Sequence, residues 1–159
     1  MTITRTYHKN GAVCDETIEN GNIKIYKLYD DDGALRLDSH QKNGVPHGIE
    51  RWFNKGGNLH YEFPYKNGNL QGLKKAWNSD GRLCYAYSFQ DDKHHGLCKD
   101  WEESGKTNER FYFEGKSVSK EEFEKLLPAN YVAKNEEPCI VCRRMKDIGL
   151  KCWNCDSKE

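Results

Sequence analysis

The sequence predicts an all-β protein: an elongated antiparallel sheet of stacked β-hairpin repeats, closed by a short C-terminal helix and followed by a small cysteine-bearing tail. Three observations carry this. Glycines recur at 11, 33, 57, 81 and 105, in steps of 22 and then 24 residues. Around each glycine, apolar and polar residues alternate with the period of two that a strand imposes. Two Cys-x-x-Cys pairs stand near the C-terminal end.

The repeat has further fixed positions. Four residues before each glycine lies an aromatic: Tyr7, Tyr29, Phe53, Trp77 and Trp101. Two residues after it come Val13, Leu35, Leu59, Leu83 and Thr107. A second series, Gly48, Gly72 and Gly96, follows His47, Gln71 and His95. In one unit, Ile49, Arg51 and Phe53 alternate with Glu50 and Trp52. The run Asn54-Lys55-Gly56-Gly57-Asn58 supplies a turn able to reach positive φ. Leu59, Tyr61, Phe63 and Tyr65 then share one face of the next strand, with His60, Glu62 and Pro64 on the other. Pro64 requires a bulge or a position with no ladder donor. The link 66–72 leads into the following hairpin. A lone hairpin is marginal in water, so the units must stack to bury a common surface.

Residues 1–116 are assigned to this array, about five units. Ser119-Lys120-Glu121-Glu122 reads as a capping box, opening a helix within 117–128 that Pro128 closes. Phe123, Leu126 and Leu127 are expected to cover the last hairpin around Phe111 and Phe113. Residues 129–138 read as a linker, and 139–159 as a separate tail.

In that tail, Cys139, Cys142, Cys152 and Cys155 form two Cys-x-x-Cys turns nine residues apart. Four thiolates complete a closed tetrahedral Zn²⁺ site with no open position for water, so the zinc is expected to be structural. The spacing suits a compact zinc ribbon or knuckle, and the tail is read as a small zinc-binding unit. A disulfide pair, a redox dithiol and an iron–sulfur centre are the other uses of such a cluster. Arg143, Arg144, Lys146 and Lys151 lie inside the loop and offset the charge of the thiolates. With Trp153 available for stacking, they are also candidates for nucleic-acid contact. Cys14, Cys84 and Cys98 read as small, partly buried residues of the array.

Lys27, Arg51, Lys75 and Lys99 occupy one position in four successive units, two residues before Tyr29, Phe53, Trp77 and Trp101. Alternate strands of a sheet are about 10 Å apart. The four cations thus form a ladder on the side of those aromatics, with cation–π contact expected. These eight residues are the candidate partner-binding set: a basic, aromatic-lined groove for an acidic surface or for phosphates.

The pattern aromatic-x-x-x-Gly-x-Leu, then Lys-Asn-Gly, then His-Gly, resembles the MORN repeat. It is most similar to the variant found in bacterial, phage and large-virus proteins, many of them labelled as antitoxin components. Asp91-Asp92 departs from it, replacing Asn-Gly in one link, and the first unit is two residues short. The resemblance implies a twisted single-layer antiparallel sheet and a scaffold for protein or lipid contact.

Composition limits the alternatives. The 25 basic and 25 acidic residues cancel, which gives no support to a basic nucleic-acid arm or an acidic tail. Aromatics make up 12% of the chain, too many for a solvated segment. No apolar stretch is long enough to span a bilayer. The first residues lack a secretory pattern, which with unpaired cysteines points to a reducing, cytoplasmic setting. There is no phosphate-binding glycine loop, nucleophile elbow or His-Glu-x-x-His motif. The expectation is therefore a binding module without enzymatic activity or a small-molecule substrate. It would recognise a protein partner, as an inhibitor or antitoxin-like neutraliser. The alternative is a nucleic-acid or anionic-phospholipid binder, and homodimerisation through sheet edges or faces is left open.

Overall fold

The computed structural model describes residues 1–127. They form one antiparallel sheet with a helix at its end. The strands are β1 (Thr2–Tyr7), β2 (Val13–Asn20), β3 (Ile23–Tyr29), β4 (Leu35–Lys42), β5 (Val45–Pro46), β6 (Gly48–Phe53) and β7 (Leu59–Lys66). They continue as β8 (Asn69–Leu70), β9 (Gly72–Trp77), β10 (Leu83–Gln90), β11 (Lys93–Trp101), β12 (Thr107–Phe113) and β13 (Lys116–Val118), before helix α1 (Lys120–Leu126). Each long strand pairs with the next, so the sheet is a meander; β5 extends the pairing on β4, and β8 that on β7. The array reaches Val118, two residues past its expected end. The linker, the four zinc-ligand cysteines, Arg143, Arg144, Lys146, Lys151 and Trp153 lie outside the described residues.

Two kinds of turn alternate. At one edge, His8, Asp30, Asn54, Asn78 and Glu102 each accept a hydrogen bond from the glycine three residues on, at 2.9–3.1 Å. Those glycines have φ of 77–86°, as a type I turn closed by a G1 bulge requires. Asn54 and Asn78 reinforce it, each accepting two backbone N–H groups on Oδ1. At the other edge the turns have two residues, and four of them hold both residues at positive φ: Asn43-Gly44, Asn67-Gly68, Asp91-Asp92 and Glu114-Gly115. These are type I′ turns, whose twist matches that of the flanking strands. Asp91-Asp92, a departure in sequence, adopts the same backbone as its neighbours because Asp tolerates this region.

The links are therefore tight hairpins, and they stack. The amides of Gly68, Asp92 and Gly115 donate to the carbonyls of Pro46, Leu70 and His94 at 2.8–3.1 Å. A second contact of the same period comes from the residue before each inner glycine. His47 Nδ1, Gln71 Oε1 and His95 Nδ1 accept from the amides of Asn67, Asp91 and Glu114 at 3.4, 3.1 and 3.4 Å. His47 and His95 thus bind the turn of the next unit.

Bulges decide which residues share a face. Cys14, Arg36, His60 and Cys84 are extra residues in β1–β2, β3–β4, β6–β7 and β9–β10, where the register shifts. Each bulge turns the following side chains over. Leu59 pairs with Phe53, while Tyr61 pairs with Trp52. Leu59 accordingly lies opposite in face to Tyr61, Phe63 and Tyr65, correcting the expectation that all four share one side. A second irregularity falls at the inner glycines. Gly72 has φ +113°, and a Cβ there would meet Pro64 at 3.5 Å. The Pro64 carbonyl accepts from Gln71 N–H at 2.8 Å. A strand residue's N–H and C=O point to the same side, so the missing Pro64 donor falls on this interrupted stretch.

Helix α1 begins with the expected capping box: Ser119 Oγ accepts from Glu122 N–H at 3.1 Å, and Glu122 Oε2 accepts from Ser119 N–H at 2.9 Å. Phe123 is 2% exposed, with its ring 5.8 Å from Phe111, 5.8 Å from His95 and 6.2 Å from Phe113. Leu126 does not join it and is 48% exposed. One ring closes the array, because a seven-residue helix gives two turns and only one face reaches the sheet. Phe123→Ala should cost about 3–5 kcal/mol in urea unfolding, whereas Leu126→Ala should change stability by less than about 0.5 kcal/mol.

Candidate partner-binding faces

The cross-strand register defines one row in full. Arg5 pairs with Glu16, Glu16 with Lys27, Lys27 with Asp38, Asp38 with Arg51, Arg51 with Glu62 and Glu62 with Lys75. Lys75 and Lys99 both pair with Ala86, and Lys99 pairs with Glu109. Directly paired residues project to the same face, so this row is a ladder of alternating sign broken only at Ala86. Ion pairs run along it: Arg5–Glu16 at 2.6 Å, Arg51–Asp38 at 3.9 Å, Arg51–Glu62 at 3.1 Å, Lys75–Glu62 at 3.4 Å and Lys99–Glu109 at 2.8 Å. The expected cations are present at their rungs, but they are interleaved with acids rather than forming a bare basic strip.

Beside this ladder runs an apolar row made of the pairs Tyr7–Val13, Tyr29–Leu35, Phe53–Leu59, Trp77–Leu83 and Trp101–Thr107. The expected cation–π contacts form at two rungs: Lys75 Nζ is 5.8 Å from the Trp77 ring, and Lys99 Nζ is 5.4 Å from Trp101. The eight predicted residues thus share a face with Glu16, Asp38, Glu62 and Glu109, which the sequence reading missed. A hollow of about 440 Å³ opens at its N-terminal end, lined by Arg5, Tyr7, Val13, Glu16, Tyr29 and Gly33.

The opposite face carries a second set of aromatics, while Phe111 and Phe113 alternate with Arg110 and Tyr112 on β12 and share the face of Glu109. Tyr61, Phe63 and Tyr65 on β7 lie 5.8 and 6.4 Å apart in succession, and Tyr85 stacks on Tyr87 at 4.5 Å on β10. Phe89 reaches Tyr112 through His94, whose ring is 4.4 Å from the first and 5.0 Å from the second. Cations sit among these rings. Lys74 Nζ is 5.0 Å from Phe63 and 5.7 Å from Tyr85, and the Arg110 guanidinium is 5.8 Å from Tyr87. Trp52 is 43% exposed and donates from Nε1 to Glu50 at 2.8 Å. The other rings are half-buried, since no second layer packs over them among the described residues.

Tyr87, Asp100 and Arg110 form a fixed polar cluster on this face. Tyr87 donates to Asp100, and Arg110 Nη2 donates to the other carboxylate oxygen at 2.6 Å. Burial, and then the bond to Asp100, push the Tyr87 phenol up to about 12. Burial likewise lifts the Cys98 thiol to about 11, so it stays protonated at neutral pH as an inert small residue. Among the described residues no cluster of three or more His, Cys, Asp or Glu side chains could hold a metal. No helix among them is long and apolar enough to cross a membrane.

No family model matches the sequence, and no curated protein matches it. Among solved structures the chain is similar to TarM, at 14% identity and a TM-score of 0.39 over 57% of this chain. It is also similar to a point mutant of S. aureus TarM in complex with Fondaparinux, alpha-GlcNAc-glycerol and UDP, at 14% identity and a TM-score of 0.41 over 58% of this chain. The matched region spans 19% of the length of either TarM chain. TarM is a glycosyltransferase, and the expectation that this chain is not an enzyme is withdrawn on that finding. A likeness of this size carries no activity or substrate across to it.

Two expectations follow from the geometry. Glu62 serves both Arg51 and Lys75, whose side chain is 9% exposed. Glu62→Gln leaves a nearly buried ammonium without its counter-charge and should cost about 3 kcal/mol in urea unfolding. Lys24→Ala, which removes an exposed pair with Glu19, should cost less than about 1 kcal/mol. The second expectation concerns pH. Burial holds the His95 imidazole below its ordinary value of 6.5, against an opposing pull from Glu114, and burial lowers His94 in the same direction. A histidine depressed in the folded state favours the neutral form, so its stabilisation is complete above pH 6.5 and declines as pH falls below it. Unfolding followed from pH 7.5 downward should show this loss. His95→Gln, which places the Gln71 side chain type at the equivalent position, should keep the fold and flatten part of the slope.

Proposed function

We propose that the chain is a recognition module for a protein partner. In the sense implied by its MORN-type resemblance, it would act as an inhibitor or antitoxin-like neutraliser, with the face of Tyr61, Phe63, Tyr65, Tyr85, Tyr87 and Phe89 as the contact surface. One observation carries this reading. A one-layer sheet leaves a half-exposed field of tyrosine, phenylalanine and tryptophan, punctuated by Lys74 and Arg110. Tyr, Trp and Arg are the side chains that dominate protein interfaces, because they bring large contact area at low entropy cost. The ladder face, with Lys27, Arg51, Lys75 and Lys99 beside Tyr29, Phe53, Trp77 and Trp101, then acts mainly to hold register, since its charges neutralise one another.

In the same reading Cys139, Cys142, Cys152 and Cys155 bind one structural Zn²⁺, and the protein resides in the cytoplasm. Support for the second point comes from the free thiols of Cys14, Cys84 and Cys98. Contact with nucleic acid or anionic phospholipid through Arg143, Arg144, Lys146, Lys151 and Trp153 is the alternative. It predicts a steep loss of affinity with salt.

The contact surface is tested by affinity capture from the native cell with the wild type and with the double variant Trp52→Ala, Lys74→Glu. The variant should keep the wild-type circular dichroism and lose its partner by at least about 30-fold. Equal capture by both would move the contact elsewhere. Metal analysis of protein purified under reducing conditions should find about one zinc per chain, lost on replacing Cys139 and Cys142 by Ser.

A further inference from the structure

Strand β1 closes one end of the sheet, and all six of its residues are exposed. Among the described residues no strand lies on its outer side. Native sheets usually block such an edge with proline, an outward lysine or a covering element. Here the strand reads Thr-Ile-Thr-Arg-Thr-Tyr, β-branched at four of six positions, and its single charge is turned along the ladder toward Glu16.

The ladder shows what is missing. Arg51, the equivalent rung two units inward, stands between two acids and reaches both, Asp38 at 3.9 Å and Glu62 at 3.1 Å. Arg5 has an acid on one side only, Glu16 at 2.6 Å. Its flanking row-mates are also incomplete. Tyr7 is 61% exposed and Ile3 44% exposed; each has a partner on β2 only, Val13 and Ile18, whereas the inner counterparts Phe53 and Ile49 lie in β6, which is flanked by β7 on one side and β4 on the other.

We propose that β1 is a docking edge for an extended segment of another protein, which adds as an antiparallel strand. Strand addition draws its affinity from main-chain hydrogen bonds and its specificity from alternate side chains. The segment that fits carries an acidic residue opposite Arg5 and apolar residues two positions to either side, opposite Ile3 and Tyr7. Among the described residues, neither outer edge of a second copy of the sheet meets this description. Two β1 edges paired about a two-fold axis bring no acid to Arg5, because β1 contains none. The far end of the sheet does present Glu109, but β13 already occupies the edge at Phe111–Phe113 and obstructs the approach of a second sheet. This edge is distinct from the aromatic face proposed above, and either assignment can fail without the other.

The probe is the synthetic peptide Val-Asp-Glu-Thr-Ile-Glu. It reproduces the residues that β2 places opposite Tyr7 through Thr2, without the bulge residue Cys14. Amide exchange and chemical shifts of the full chain are followed at millimolar peptide, alongside a control peptide with the central Glu replaced by Lys. Alternate β1 amides should become protected, and the Glu peptide should bind at least about tenfold more tightly than the Lys peptide. Arg5→Glu should reverse that preference. Should this variant unfold the edge by facing Glu16, Arg5→Gln removes the charge without repulsion and must erase the discrimination. Protection confined to other strands, equal binding of the two peptides, or no response of β1 to either would each overturn the proposal. So would self-association of the chain through β1 that the peptide competes away.

Discussion

A sheet one layer thick has no second layer against which to bury a face, so its stability must come from neighbours within the sheet. In this chain that constraint shapes every other feature. Buried apolar side chains are few, Pro64, Leu73, Ala76, Ala86, Leu97, Cys98 and Phe123 among the described residues. The remaining stabilisation is lateral: backbone ladders, cross-strand pairs and stacked turns. Such pairs are individually worth a few tenths to about 1 kcal/mol, so they hold a sheet only when repeated in register over many strands. The repeat is therefore the condition for folding and not an ornament on a pre-existing core.

The same constraint explains why charge appears where it does. In a two-layer protein the middle of a strand is apolar on its inner side. Here the middle row of one face alternates arginine or lysine with aspartate or glutamate across the sheet. Apolar rows flank the ladder and shield its inner rungs: the side chains of Lys75 and Glu62 are 9% and 13% exposed, which strengthens their attraction, while Arg5 and Glu109 near the ends remain 45% and 46% exposed. Ala86 interrupts the alternation between Lys75 and Lys99, and both lysines turn outward to Glu62 and Glu109. The opposite face carries the stacked rings of β7 and β10, with Glu50, Lys74, Asp100 and Arg110 set among them and no continuous ladder, so the two sides of one sheet are chemically unlike.

Much of this is legible in the sequence alone. The glycine period located the turns, the fixed aromatics located the strands, and Ser119 with Glu122 located the helix start. The faces were harder, because a bulge inserts one residue without changing the repeat length. His60 and Cys84 look like ordinary strand residues, and only the pairing of Tyr61 with Trp52 but Leu59 with Phe53 reveals the inversion. The acids of the ladder had a signal that was overlooked. Glu16, Asp38 and Glu62 each follow a rung cation by 11 residues, whereas Glu109 follows Lys99 by 10 because that hairpin lacks the bulge. Counted from the repeat glycines the cations stand at minus six and Glu16, Asp38 and Glu62 at plus five, an offset broken by Ala86 and by Glu109 at plus four.

The hydrogen bonds that join each two-residue turn to the unit before it have a consequence for how such a chain can change in length. Pro46, Leu70 and His94 receive those bonds at a constant interval, and Gly68, Asp92 and Gly115 supply them at nearly the same interval. A change of one residue within a hairpin is absorbed by gaining or losing a bulge: Gly115 follows its acceptor His94 by 21 residues where Gly68 and Asp92 follow theirs by 22, and the bond still forms. Duplication or loss of a whole cassette would leave both intervals intact. Within a unit the bulges take up small changes of length, and whole units can be added by tandem copying without disturbing the bonds between turns.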